Sequence, residues 1–368
     1  MLASLSLLIA VCLPALAAGG EHFAYIGAYS GPQSKGIYVY RFQPATGELT
    51  SLGLAGEANN PSFLAIRPGG EFLYAVEETD GGSVSAFRID RASGKLTRLN
   101  RVSSHGAGPC ALAVDHTGKY VLVSNYSSGS VALLPIKADG SLGDASSVDQ
   151  HKGAGVNRER QEGPHAHSAD FSPDNRFALA CDLGTDEVVI YKFDAAAGKI
   201  TRSGAAKLPP GSGPRHLAFH PDGKLAYVVS ELTATVASFS WDAATGSLKQ
   251  VGIVNAYPPD YHGQQGAAEV QVHPNGKFVY ASNREQANHI AVFAAAPAGT
   301  LKTVEIVPSG GKAPRYFGFD PSGAWLLSAH QDSDNIVVFR VDPATGKLTP
   351  SKTIQIHAPV CVKFTPAK

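Results

Sequence analysis

Hydrophobic and polar positions alternate along this chain in short runs, and one stretch, His216–Val254, carries the whole unit: HLAFHPDGKLAYVVSELTATVASFSWDAATGSLKQVGIV. The apolar period is two rather than that of a helix, and the runs are rich in β-branched and aromatic residues, so they read as strands. Four strands fall here, HLAF, AYVVSE, VASFSW and LKQVGIV, separated by turns that carry Gly, Pro or Asp. Four consecutive antiparallel strands make one blade of a propeller.

The turn between the third and fourth strands recurs seven times, as PATGEL, RASGKL, KADGSL, AAAGKI, AATGSL, APAGTL and PATGKL. Its glycines are Gly47, Gly94, Gly140, Gly198, Gly246, Gly299 and Gly346, spaced by 47, 46, 58, 48, 53 and 47 residues. Such a period marks a repeat architecture. A second turn, of the form PGG, HTG, PDN, PDG, PNG or PSG, follows a short apolar run in six of the units. The chain ends in VCVKF, a first strand without partners, while HFAYIGAYS near its start is a second strand without a predecessor. The expectation is an all-β, seven-bladed β-propeller with four antiparallel strands per blade, a single domain over residues 19–368. Its ring is closed by one C-terminal plus three N-terminal strands.

Composition narrows the partners. Of 368 residues, 43% are hydrophobic and 17% charged, with 31 Lys and Arg against 31 Asp and Glu and no basic run. No net field draws nucleic acid or an anionic membrane, so a small molecule is the expected ligand. The N-terminus MLASLSLLIAVCLPALAAGG is uncharged and ends in the small-x-small triplet Ala15-Leu16-Ala17. Residues 1–18 therefore read as a signal peptide, which makes the mature chain periplasmic or secreted and free of the membrane after cleavage. If that N-terminus is not a functional signal, the chain is cytoplasmic. Cys110, Cys181 and Cys361 then remain, an odd number without CxxC spacing, and are expected as free buried thiols.

In an antiparallel blade the start of strand one and the end of strand two lie at the same end of the ring. Strand-one starts read NNPSF, GAGPC, GPHAH, GPRH, GAAEV, APRYF and HAPVC; strand-two ends read GAYS, VEETD, SNYSS, CDLGT, SELTA, SNREQ and AHQDS. One mouth should thus gather His165, His167, Arg215, His216, Glu231, Asn283, Arg284, Arg315, His330 and Gln331, with Glu77, Asn125 and Asp182 completing the circle. His165 and His167, two apart at the start of the inner strand of blade three, should point to one side of it. The two oversized repeats place their extra residues in VDQHKGAGVNRERQEG and NAYPPDYHGQQG, and both should overhang this mouth, where long loops on a rigid scaffold carry function. The plain alternative is a polar, water-filled channel whose strand-end residues satisfy turns.

No GxGxxG, P-loop, GxSxG or HExxH occurs, and the strand-end acids are scattered among arginines, so neither a metal nor another cofactor is expected. Three phrases, RQEGPHAHS, GPRHLAFHPDGKLAYVVSEL and HPNGKFVYASNRE, resemble the seven-bladed β-propeller lactonase family. That family is typified by bacterial 6-phosphogluconolactonase and related to fungal carboxy-muconate lactonising enzymes. The resemblance runs from about Phe23 onward. It implies a working set of one His, two Arg and a Glu: His165 or His167, Arg215, Arg284 and Glu231.

The expected reaction is hydrolysis of a sugar lactone. His165 or His167 would act as general base on water, and Arg215 and Arg284 would hold the oxyanion and any anionic substituent. Glu231 would orient an arginine or histidine, or relay a proton. His216, Asn283, Arg315, His330 and Gln331 would bind substrate. An exported chain sits apart from a cytosolic sugar phosphate, which leaves the identity of the lactone open. The alternatives are a cycloisomerase that closes a lactone from an unsaturated dicarboxylate, and an exported propeller that only binds.

Overall fold

The computed structural model describes residues 20–367; the expected signal peptide lies outside them. The described chain contains twenty-eight strands and no helix. They form seven four-stranded antiparallel sheets, each in sequential order from the inner to the outer strand, apart from the closing sheet. In that sheet Pro359–Pro366 lies innermost and pairs with His22–Ala28, followed by Gly36–Gln43 and Glu48–Glu57. The ring is therefore a seven-bladed propeller shut by one C-terminal and three N-terminal strands, and blades are counted here so that this closing sheet is the seventh.

The repeated turn explains how neighbouring blades lock. All seven of its glycines have positive φ, from 61° to 90°, a conformation that costs glycine little and other residues more. A side chain there would also collide with the preceding blade: a Cβ on Gly246 would lie 2.1 Å from the Phe177 ring, and one on Gly140 2.1 Å from that of Phe72. The Tyr74 hydroxyl donates to the Gly140 carbonyl at 3.0 Å, and Tyr280 donates likewise to Gly346 at 2.6 Å. Between blades, side chains such as Phe177, Phe239 and Trp241 fill a continuous apolar layer. Cys110, Cys181 and Cys361 are buried and free.

Two irregularities matter for the site. The regular inner strand of blade three is only Asp170–Phe171, and His165 and His167 precede it, flanking the single bridge Ala166–Asp182. In blades two, four, six and seven the inner strand begins with a bulge, whose extra residue is Cys110, Arg215, Arg315 or Val360 respectively. A bulge re-aims a side chain out of the regular alternation.

Candidate functional site

The residue that follows each second strand forms a ring around the mouth: Tyr29, Glu78, Tyr126, Leu183, Glu231, Arg284 and Gln331. Five of them border a cavity of about 220 Å³, together with Cys110, Arg160, His167 and Arg315. Blade bulges supply Cys110 and Arg315, and the loop before blade three supplies Arg160.

Glu231 is the centre of this arrangement. Its Oε1 accepts from Arg160 Nη2 at 2.6 Å, and its Oε2 accepts from Arg215 Nε at 3.0 Å. Arg284 Nη2 lies 3.0 Å from the same Oε2 and His167 Nε2 lies 4.0 Å from it. Burial works to raise the carboxyl's pKa, but Arg284, Arg215 and Arg160 outweigh burial and hold it down to about 2. Glu231 is thus a permanent anion that gathers guanidinium groups.

The arginines divide by what else holds them. Arg215 is fully walled in, donates to the Ala268 carbonyl, and is pulled down to about 10 by burial, Arg315 and Arg284. It sits behind Glu231 and does not border the 220 Å³ cavity. Arg284 borders the cavity while its Nε donates to Gly266 O at 3.1 Å. Arg315 packs over the Tyr29 ring at 5.5 Å, with Glu78 4.0 Å away. Arg160 comes from the long loop before blade three, and its hydrogen-bond partners are Glu231 and the Tyr126 hydroxyl, the latter at 3.3 Å. Gln161 fastens that loop by donating to Leu183 O and Asp186 Oδ1, both at 2.8 Å.

The two histidines separate as well. His167 borders the cavity, packs edge-on to Tyr126 and His216, and has Cys110 Sγ 3.6 Å from Nδ1. Burial, then Arg215, His216 and Arg315, push its pKa well below the ordinary histidine value, so it is neutral at neutral pH. His165 instead stacks on Tyr126 with ring centroids 4.5 Å apart, and its Nε2 lies 3.1 Å from Glu162 Oε1. It stands outside the cavity. Burial drives the Cys110 thiol far up in pKa, which removes it as a thiolate nucleophile.

Several residues expected at the mouth are elsewhere, most of them for one geometrical reason. The last residue of a second strand turns into the blade, and only the next one reaches the channel. Asn125 donates to Ser104 O, Asn283 accepts from Gly266 N, and Asp182 accepts from the amides of His165, Gly184 and Thr185. His330 is buried within its blade beside Ser328 and Asn335, and Gln331 does not border the cavity. Glu77 pairs with Arg98 and Arg101 on its own blade, leaving Glu78 at the mouth. His216 faces the deeper channel, its Nδ1 2.9 Å from Glu269. The second long loop contributes only the Gly266 carbonyl that holds Arg284.

Arg160, Tyr29, Glu78, Tyr126 and Cys110 were not singled out by sequence. Each follows a signal already present, a strand end, a strand start or the 151–164 insertion, but an offset of one residue at the strand ends hides Tyr29, Glu78 and Tyr126.

A family model described as lactonase, seven-bladed β-propeller, matches residues 23–364. A protein named 6-phosphogluconolactonase from Bacillus subtilis is 38% identical over 348 residues, spanning 94% of this chain and 98% of its own. Another of that name, from Formosa agariphila, is 34% identical over 88% of this chain and 94% of its own. The solved structure of a periplasmic gluconolactonase from Pseudomonas aeruginosa is 33% identical, with a TM-score of 0.90, and covers 95% of this chain and 100% of that one.

Proposed function

The chain belongs to the seven-bladed β-propeller lactonase family, and on that footing we propose that its mouth hydrolyses a sugar δ-lactone, 6-phosphogluconolactone being the favoured form. The observation that carries this is His167, neutral and cavity-facing, held 4.0 Å from a carboxylate that is ionised at neutral pH.

Water placed at His167 Nε2 loses its proton to the imidazole as its oxygen attacks the lactone carbonyl. The carbonyl π electrons move onto oxygen, and Arg284 and Arg315, both bordering the cavity, receive the developing negative charge. When the tetrahedral intermediate collapses, the ring C–O bond breaks and the alkoxide takes the proton back from His167, giving the open hydroxy acid. Glu231 is too acidic to relay that proton, so its role is to position Arg160, Arg215 and Arg284. Arg215 acts through Glu231 rather than on substrate.

Four arginines and two glutamates, Glu78 and Glu231, meet at this mouth. The surplus of positive charge suits an anionic substituent on the lactone. Arg160, half-exposed at 42%, is the guanidinium best placed to turn from Glu231 toward a phosphate.

Export is supported by the uncharged apolar N-terminus and by the Pseudomonas relative, which is itself described as periplasmic. Cell fractionation checks it: a chain starting near Gly19 in the periplasm supports export, and full-length chain in the cytoplasm contradicts it. For the activity, the test is proton release from glucono-δ-lactone and from its 6-phosphate, read against the spontaneous rate. Acceleration of either supports hydrolysis, larger for the phosphate if the arginine surplus serves it; acceleration of neither refutes the reading.

A further inference from the structure

The other end of the axial channel holds a chamber of about 550 Å³, more than twice the mouth cavity and within the usual range of ligand sites. Its walls are unequal. Blades one and two contribute Phe63, Ala65, Ala111 and Ala113, while blades three to seven contribute Asp170, His216, Glu269, Gln271, Tyr316 and Lys363. One side of the chamber is therefore apolar and the other carries ionisable groups. Between chamber and mouth lies a packed layer in which Phe63 meets His216 and Tyr316 edge-on at 5.6 and 5.7 Å.

The polar side is incompletely partnered. His216 is 6% exposed, its Nδ1 lies 2.9 Å from Glu269 Oε2, and its Nε2 has no hydrogen-bond partner. A buried polar atom left in this way is costly unless something fills its place. Lys363 Nζ donates to the Tyr316 hydroxyl at 2.7 Å and lies over the Phe63 ring at 4.8 Å. It makes no ion pair within 4.0 Å with Asp170 or Glu269 among the described residues. The ammonium and the two carboxyls thus share a chamber without neutralising one another.

We propose that this chamber is a second ligand site, for a small polyhydroxylated carboxylate of the sugar-acid class. Lys363 and His216 Nε2 hold its carboxylate, Asp170 and Gln271 take its hydroxyls, and its C–H face lies on Phe63 and the alanine wall. Sugar acids present that combination, polar groups on the edges and an apolar face. The electrostatics agree: burial raises Asp170 to about 8, against the pull of Lys363 and with a push from Glu269. Burial likewise raises Glu269 to about 8 against Lys363 and Arg215. His216 is held neutral by burial and by Arg215, Arg315 and Lys363. Near neutrality the chamber's one charged group is then the Lys363 ammonium, which favours an anion. Above about pH 8 the carboxyls ionise and oppose it.

The inference stands on the chamber's own geometry and does not require turnover at the mouth. Calorimetric titration of the mature chain with sodium gluconate tests it, using Arg284→Ala to weaken any binding at the mouth. The expected result is a gluconate site that persists in Arg284→Ala. It should weaken by about tenfold or more with Lys363→Met, with Ala113→Leu, which fills the apolar wall without altering charge, and on moving from about pH 6 to about pH 9.5. Ala113→Leu also serves if Lys363→Met fails to fold. No gluconate binding in Arg284→Ala, or binding indifferent to both chamber substitutions, overturns the proposal. Lactonase activity in Lys363→Met should match the unmodified chain, so failure at the mouth and failure at the chamber are told apart.

Discussion

His167 Nε2 faces Glu231 Oε2 across 4.0 Å, a gap wider than a hydrogen bond, while Arg215 and Arg284 approach the same oxygen to 3.0 Å. The carboxylate is committed to guanidinium groups and the imidazole is left free to take a proton. Burial and the neighbouring cations Arg215 and Arg315 also keep that imidazole deprotonated. Base and anchor are therefore separate groups with pKa values pushed far from their ordinary ranges at a single cavity, as active sites arrange them.

The pH profile follows. A base with lowered pKa stays in its working form as the pH falls through 6.5, the unperturbed histidine value. The acid limb of kcat/KM should accordingly lie well below pH 6.5. Removing one of the cations that depress it, in Arg315→Met, should shift the limb to higher pH. A limb near the ordinary histidine value in the unmodified chain would contradict the assignment.

Glu231→Gln should be a folding lesion as well as a catalytic one. With the carboxylate gone, Arg160, Arg215 and Arg284 face one another uncompensated, and Arg215 is 2% exposed. Losing one member of a buried charge cluster costs about 3–5 kcal/mol, readable as a lower denaturant midpoint. An unchanged midpoint would show that the arginines do not depend on Glu231.

Arg160→Gln should behave differently, because its side chain is 42% exposed and its loop is fastened by Gln161. Stability should change little, while KM for the 6-phosphate lactone rises by about tenfold and KM for the unphosphorylated lactone moves less, the loss of one charge-assisted contact. Equal changes for both substrates would remove Arg160 from phosphate recognition.

The fold was largely legible because its signals are local and repeated. Gly246 and its six counterparts each sit where positive φ and a side chain of the preceding blade, a ring in six cases and Leu225 beside Gly299, crowd out a side chain, so the turn recurs and can be counted. Closure was legible because VCVKF lacked partners at one end and HFAYIGAYS at the other. The site was legible only to within one residue. Glu77 and Glu78, or Asn125 and Tyr126, are adjacent in sequence, yet one turns into the blade and the other to the cavity. Bulges at Arg215 and Arg315 break the alternation from which such a choice would be made. Arg160 was invisible as a partner of Glu231 because 71 residues separate them, and only the ring brings the loop over blade four.

Gly246→Ala should lower stability by about 1–3 kcal/mol, since its Cβ would lie 2.1 Å from the Phe177 ring at φ 67°. Thermal unfolding reads this directly. A neutral result would mean that the turn relaxes away from the preceding blade.

The chamber acids give a stability signature of their own. Asp170 rises in the folded state from 3.8 to about 8, so the fold binds its proton more tightly than the unfolded chain does. The stability this contributes is fully present below about pH 4 and is lost as the pH climbs to about 8. Asp170→Asn removes the titration, and its Tm relative to the unmodified chain should therefore improve as the pH rises through that window. A difference in Tm that stays constant with pH would show that Asp170 titrates normally.

The most direct test of the central claim compares His167→Gln with His165→Gln in proton release from 6-phosphoglucono-δ-lactone above the spontaneous rate. His167 borders the cavity and His165 stacks behind Tyr126. Loss of kcat by about 10²–10⁴ in His167→Gln, with His165→Gln close to the unmodified chain, is the result predicted. Full activity in His167→Gln, or the larger loss in His165→Gln, would contradict it.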